Sequence, residues 1–298
     1  MLKFSRRLFV LVLGAGVMTL HPGVHLAAAD GSGQSAHSAT LKTASANAPD
    51  IPYAEYEFQV EQDLLQLANQ SRQRAGAPKL VFDAGLTAAA RTHAQAMLEA
   101  HQLSHQFTGE PTLVQRLAAT SSLQLDQAAE NVALDFSAQG GHEHLMLSPP
   151  HRANLLNPVY NMVGLGVVRN GDRLYIVEDF AHALPAYSAD EVKDRIAAAL
   201  NQARRSASRN VLFRRDLQTA DEAACSMAHA NKLGTLPVHE LAQRFTVLTY
   251  TSLHPETLPA VASHAINSPN LQNLSIGACY ARTDTYPTGV YWIVLSLH

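Results

Sequence analysis

Val163-Gly164-Leu165-Gly166-Val167, followed after Asn170-Gly171 by Tyr175-Ile176-Val177, is the stretch on which the fold turns. Two apolar runs of β type flank an Asn-Gly pair, which tolerates the φ > 0 backbone that a tight hairpin needs. Upstream, Val60, Leu64, Leu67 and Ala68 recur at helical spacing, with Gly76 as a stop. Leu86, Ala90, His93, Ala94 and Met97 mark a second helix. The same order returns downstream. Asn201-Gln202-Ala203-Arg204 repeats Asn69-Gln70-Ser71-Arg72, inside a helix striped by Val192, Ile196, Ala199, Leu200 and Ala203. Ser188 and Glu191 form its capping box. A second helix carries Leu217, Ala220, Ala224 and Met227, and a constant offset then pairs Met97 with Met227, Leu103 with Leu233 and His105 with Thr235. Ile276-Gly277-Ala278-Cys279-Tyr280 and Trp292-Ile293-Val294 match the hairpin, with Pro287 and Gly289 in a longer loop. Each half therefore reads helix, helix, variable middle, terminal hairpin. That pattern predicts an α+β fold with helices packed on an antiparallel sheet, duplicated.

Three short segments lie between the second helix and the hairpin of the first half. They are Leu103-Ser104-His105, Ala129-Glu130-Asn131 and Ser148-Pro149-Pro150-His151-Arg152-Ala153-Asn154-Leu155-Leu156-Asn157-Pro158. Two imidazoles and a carboxylate suit a divalent, zinc-like ion with an open coordination position. Without metal, the same set suits acid/base chemistry, with Glu130 holding one imidazole's tautomer. The opposing reading is that such pairs only satisfy each other's hydrogen bonds and fix the fold.

This succession resembles the CAP superfamily (cysteine-rich secretory protein, antigen 5 and pathogenesis-related 1 type), specifically the short SCP-like domains of exported bacterial proteins. Their pattern is a Ser-His after the second helix, a Gly-Glu-Asn, a Ser-Pro-Gly-His-Arg-x-Asn-Ile-Leu, and then Gly-Val-Gly. Ala129 and Pro150 stand here where that pattern has glycine, and no tryptophan precedes Ser148. The resemblance implies an α-β-α sandwich with two histidines and two acids in a surface cleft. By motif these are His105, His151 and Glu130, with Glu143 preferred over Asp135 as the fourth. It also implies a module that binds a small ligand, lipid, peptide or cell-wall component. A metal-dependent or acid/base hydrolase and a structural envelope protein are the competing readings.

Other candidates read as bland. His93 sits in the apolar stripe of its helix and is expected to be a hydrogen-bonded core residue. His101 and His105 have i, i+4 spacing, but their helix is expected to end near His101. His142-Glu143-His144 fails the H-E-x-x-H pattern because Met146 stands where the second histidine belongs. It reads as an exposed strand or loop pair. No G-x-S-x-G nucleophile elbow is present.

In the second half, Thr235 replaces the first histidine, while His264 and Asn267 fall opposite His151 and Asn154. One histidine without its partners is not a site. Cys225 and Cys279, the chain's two cysteines, are expected to pair in an oxidising compartment.

That compartment follows from the N-terminus. Lys3, Arg6 and Arg7 precede the apolar run Leu8–Leu20 and small residues Ala27-Ala28-Ala29, a signal-peptide pattern over residues 1–29. Ser5-Arg6-Arg7-Leu8-Phe9 also fits a twin-arginine route, so a secreted or periplasmic location is expected. Residues 30–52, rich in Ser, Ala and Gly, read as a flexible leader. A CAP/SCP-like domain over 53–186 and a degenerate repeat over 187–298 complete the reading. A net charge of -3 and no basic patch argue against nucleic acid, and no later segment reads as a transmembrane anchor.

Overall fold

The computed structural model describes residues 56–298 and one short strand, β1 (Val10–Val12). The expected signal and leader otherwise lie outside the described residues. Contacts divide the chain into two compact units. One runs up to Leu113 and resumes over Ala128–Ala181; the other combines Val114–Gln127 with His182–His298. The units thus interleave in sequence, where the sequence reading draws a single boundary between residues 186 and 187.

The first unit is built on a sheet of order β2-β4-β5-β3: β2 (Val81–Phe82), β3 (Leu125–Asp135), β4 (Met162–Asn170) and β5 (Arg173–Ala183). The hairpin β4–β5 is antiparallel, as expected, whereas the two-residue edge strand β2 runs parallel to β4. Asn170 pairs with Arg173, so the turn is Gly171-Asp172, with Gly171 at φ 62. Helix α2 (Ala84–Ala100) covers one face of the sheet, placing Ala90, Ala94 and Met97 on Val168, Tyr175 and Val177. Helices α1 (Phe58–Arg74), α4 (Ala138–Leu147) and α5 (Pro149–Leu156) cover the other, through Leu64, Leu145 and Leu155 on Val163, Leu165, Ile176 and Phe180. The layers are those of an α-β-α sandwich.

Why α2 lies so close to β4 is legible in Gly164-Leu165-Gly166. A Cβ on Gly164 would sit 2.1 Å from the Leu86 carbonyl carbon, and one on Gly166 would sit 2.2 Å from that of Ala90. The start of α2 is set by Asp83, whose carboxylate accepts from the Leu86 amide at 2.8 Å. Asp83→Ala is expected to destabilise this unit by about 1 kcal/mol, read as a lower urea midpoint, since N-cap removal leaves a helix amide unpaired.

The second unit repeats these layers. Its sheet has order β1-β7-β9-β8-β6, with β6 (Phe213–Arg214), β7 (Thr246–Ser252), β8 (Asn273–Ala281) and β9 (Val290–Leu297). Helices α6 (Ala189–Ser206) and α9 (Ala262–Ile266) pack on one face. Helices α7 (Gln218–Ala230) and α8 (Leu236–Ala242) pack on the other. The Ser188–Glu191 capping box opens α6.

Identical local devices recur in both halves. Asn69 clips the backbone of Leu80 through two hydrogen bonds of 3.1 and 2.7 Å, and Asn201 clips Leu212 at 3.0 and 2.8 Å. Buried Arg72 donates to the carbonyls of Pro78, Leu155, Asn157 and Tyr160; buried Arg204 donates to those of Asn210, Ile266 and Ser268. The hairpin match needs one correction. Gly164 lies opposite Asp179 and Gly277 opposite Val294, so Tyr175-Ile176-Val177 falls on Val290-Tyr291-Trp292, two residues before the expected stretch. With that register Cys279 takes the place of Gly166, and it is bonded to Cys225 of α7. A disulfide thus joins helix to sheet where the first half has a glycine approach.

The second unit also holds Val114–Gln127, which includes most of α3 (Leu113–Thr120) and the start of β3. Arg282 donates to the carbonyls of Ala118 and Leu123 at 2.8 and 3.0 Å, and Thr288 to that of Leu125 at 3.1 Å. Asp126 meets His182 at 2.6 Å and His254 at 3.4 Å.

Candidate functional site

The site lies in the first unit, where α2, the segment after it, β3 and α5 bring side chains together. His93 is fully buried on α2, as expected of a core histidine, but it is not isolated. Its Nδ1 meets Glu110 Oε1 at 2.6 Å, and its Nε2 meets the Ser104 carbonyl at 2.8 Å and Glu130 Oε2 at 3.8 Å. Glu110 also accepts from the Phe107 amide at 3.0 Å. One imidazole therefore ties down the chain on both sides of His105.

Helix α2 ends at Ala100 with His101 in the left-handed region, φ 50, so His101 and His105 do not share a helical face. His105 Nδ1 lies 2.9 Å from Glu130 Oε1. Glu130 on β3 is only 8% exposed, whereas the His105 side chain is 40% exposed. His151, in the first turn of α5, places its ring centroid 6.4 Å from that of His105. Burial, and then the nearby His105, push the His151 imidazole below its usual pKa, so it is neutral at neutral pH.

The structure thus brings His105, Glu130 and His151 into one neighbourhood and adds His93 and Glu110. It does not add Glu143. That residue is exposed on α4 and accepts from Gln139 at 2.6 Å. His142 and His144 are helical, not an exposed loop pair: His142 is buried against Ser71 Oγ at 2.8 Å, and His144 reaches Asp135 at 2.6 Å.

The geometry does not assemble His105, Glu130 and His151 as a three-ligand metal set. Glu130 spends one oxygen on His105 Nδ1 and turns the other toward His93, so it orients an imidazole and does not share an ion with it. Among the described residues no group of three or more His, Cys, Asp or Glu is arranged to hold a metal. The two imidazoles remain as the groups able to meet a ligand.

Behind them lies a buried polar chain that sequence reasoning missed. Asn131, fully buried, donates from Nδ2 to the His151 carbonyl and to Glu178 Oε2, both at 3.1 Å. Its Oδ1 accepts from Asn154 at 3.0 Å. The signal available was Glu178-Asp179, two acids inside an otherwise apolar strand.

Residues 65–180 match the family model described as CAP, the cysteine-rich secretory protein family. This part of the chain is a CAP domain. Among curated proteins, the chain is similar to the uncharacterized membrane protein YlbC of Bacillus subtilis (strain 168). The two are 31% identical over 121 residues, which make up 40% of this chain and 34% of YlbC. The chain thus spans about a third of the length of that relative. Among solved structures it is similar to an extracellular protein containing a SCP domain from Bacillus anthracis str. Ames. The identity is 28% and the TM-score 0.38, covering 42% of this chain and 41% of that one. NaASP2, solved with Zn2+, is 12% identical with a TM-score of 0.30, covering 45% of this chain and 83% of that one. No helix among the described residues is long and apolar enough to cross a membrane.

Proposed function

We propose that the CAP domain is the binding module of an exported protein, and that its cleft takes a small ligand between His105 and His151. The observation that carries this reading is the Glu130–His105 pair. A buried carboxylate accepting at Nδ1 fixes the tautomer and orientation of a partly exposed ring. His151, neutral and one ring away, supplies a second lone pair. Two such imidazoles suit an N–H or O–H donor on a lipid, peptide or cell-wall component, or a divalent ion such as zinc held by nitrogen alone. Export is supported by the basic, apolar and small-residue succession ending at Ala29.

The test is an NMR titration of the histidine ring signals of the mature chain with Zn2+, peptides, lipid micelles and peptidoglycan fragments. One class is expected to move both His105 and His151, and His105→Ala with His151→Ala should abolish its binding. If no class moves either ring, the reading fails. A carboxylate-oriented imidazole is also a general base, which supports hydrolysis as the second reading. That reading requires a ligand that is turned over, with turnover lost in a folded Glu130→Gln variant.

A further inference from the structure

Glu178 is fully buried on β5, on the face that also carries Leu174, Ile176 and Phe180 of the apolar core. Its cross-strand neighbour on β4 is Leu165. Packing alone would not place a carboxyl there, because a buried polar group is costly unless bonded. Its described partner is Asn131, and the Asn131 amide is fully used. Both of its N–H groups have acceptors, Glu178 Oε2 and the His151 carbonyl, and its oxygen has a donor in Asn154. Asn154 reaches on toward the Glu130 carbonyl at 3.5 Å. One buried chain of bonds thus joins β5, β3 and the first turns of α5, passing beneath both Glu130 and His151.

We propose that Glu178 is a positioning residue of the cleft, acting through Asn131 to fix the first turn of α5, and with it His151, against the strand that carries Glu130. Removing the acceptor leaves an Asn131 N–H buried and unpaired, a state that the amide escapes only by turning or by drawing its other partners with it. Those partners are the His151 carbonyl and Asn154, not His105. His105 is held separately, by Glu130 Oε1 and by the segment anchored on His93. The two imidazoles should therefore respond differently to a change at residue 178. The proposal rests on the reading of His105 and His151 as a working pair, but its test needs no ligand.

The experiment compares histidine ring signals of the full mature chain as native protein, Glu178→Gln and Glu178→Met, with His105→Gln and His151→Gln for assignment. Gln offers an acceptor oxygen, so Glu178→Gln should keep both ring signals in place. Met has similar bulk and no such acceptor, so Glu178→Met should displace the His151 signals further than those of the neighbouring His105. If Glu178→Met does not fold, Asn154→Ser breaks the same chain at a half-buried residue and should displace the His151 signals further than those of His105. Unmoved His151 signals in Glu178→Met, or in Asn154→Ser where that variant stands in, overturn the proposal. So does an equal displacement in Glu178→Gln. Failure of every ligand titration, with His151 still displaced in Glu178→Met, would sink the binding reading and leave this one standing.

Discussion

Glu178→Gln is expected to leave the CAP domain about 3 kcal/mol more stable than the native chain at pH 8, and no more stable near pH 4. Burial pushes the Glu178 carboxyl up from 4.5 to about 7, against the opposing hydrogen bond from Asn131. Its other oxygen, Oε1, is buried without a partner among the described residues, so an ionised form would carry charge with little to stabilise it. The sign follows from proton counting. Below the unfolded value both states hold the proton, and the residue contributes no pH dependence. Between 4.5 and about 7 the unfolded chain releases a proton that the folded chain retains, so stability falls as pH rises. Above that window the penalty is full and constant. Gln has no proton to lose and removes the slope. Urea unfolding at a series of pH values, followed through the NMR signals of β5, should show two curves that meet at the acid end and separate toward neutrality. Parallel curves would refute the assignment of this titration to Glu178.

How much of this was legible in the sequence depends on what each signal reports. The matched Asn69-Gln70-Ser71-Arg72 and Asn201-Gln202-Ala203-Arg204 were readable because their shared members do one mechanical task. The Asn clips a strand backbone and the Arg collects buried carbonyls in both halves. The glycines of the hairpin were equally legible, since a helix backbone leaves no room for Cβ at Gly164, Gly166 or Gly277. The hairpin register was not. A run as nearly apolar throughout as Val290–Leu297, broken only by Ser296, gives a sequence match little to prevent a slip of two, and strand pairing fixes it.

At the cleft, short motifs picked out His105 in the segment after α2, Glu130 midway along β3 and His151 in the first turn of α5. Glu143 went astray for a local reason. The His142-Glu143-His144 stretch reads as a strand or loop, yet it lies inside α4, where Gly140 packs on Asp135 and Gly141 on Ile176, with Ser137 capping the helix start. Once that segment is helical, Glu143 projects outward and His142 inward. The roles of Glu110 and Glu178 were missed for another reason. Their roles come from partners distant in sequence, His93 and Asn131, and pattern reading does not bring such pairs together. The domain boundary was hidden likewise. Nothing in Val114–Gln127 announces that Arg282 and Thr288 will hold its carbonyls.

The replacement of both Cys225 and Cys279 by Ala is expected to cost the second unit about 4 kcal/mol, because the bond closes a loop spanning 54 residues and constrains the unfolded chain. The bond joins α7 to β8 at a strand position where the first half uses Gly166 to let helix and strand backbones touch. Removing the crosslink therefore returns entropy to the unfolded state and leaves half-buried alanines in the helix–sheet seam. The chain's one tryptophan, Trp292, lies directly across the ladder from Cys279 and is buried in the same unit. Its fluorescence reports unfolding of that unit in particular. The urea midpoint read through Trp292 should drop markedly in the double variant, and reduction of the native chain should reproduce the drop without any mutation. Agreement between the two treatments assigns the loss to the crosslink itself, since reduction keeps both sulfur atoms in place. An unchanged Trp292 midpoint after full reduction would mean that packing of α7 on β8 through Ala224 and Met227 suffices, and that the bond adds nothing to equilibrium stability.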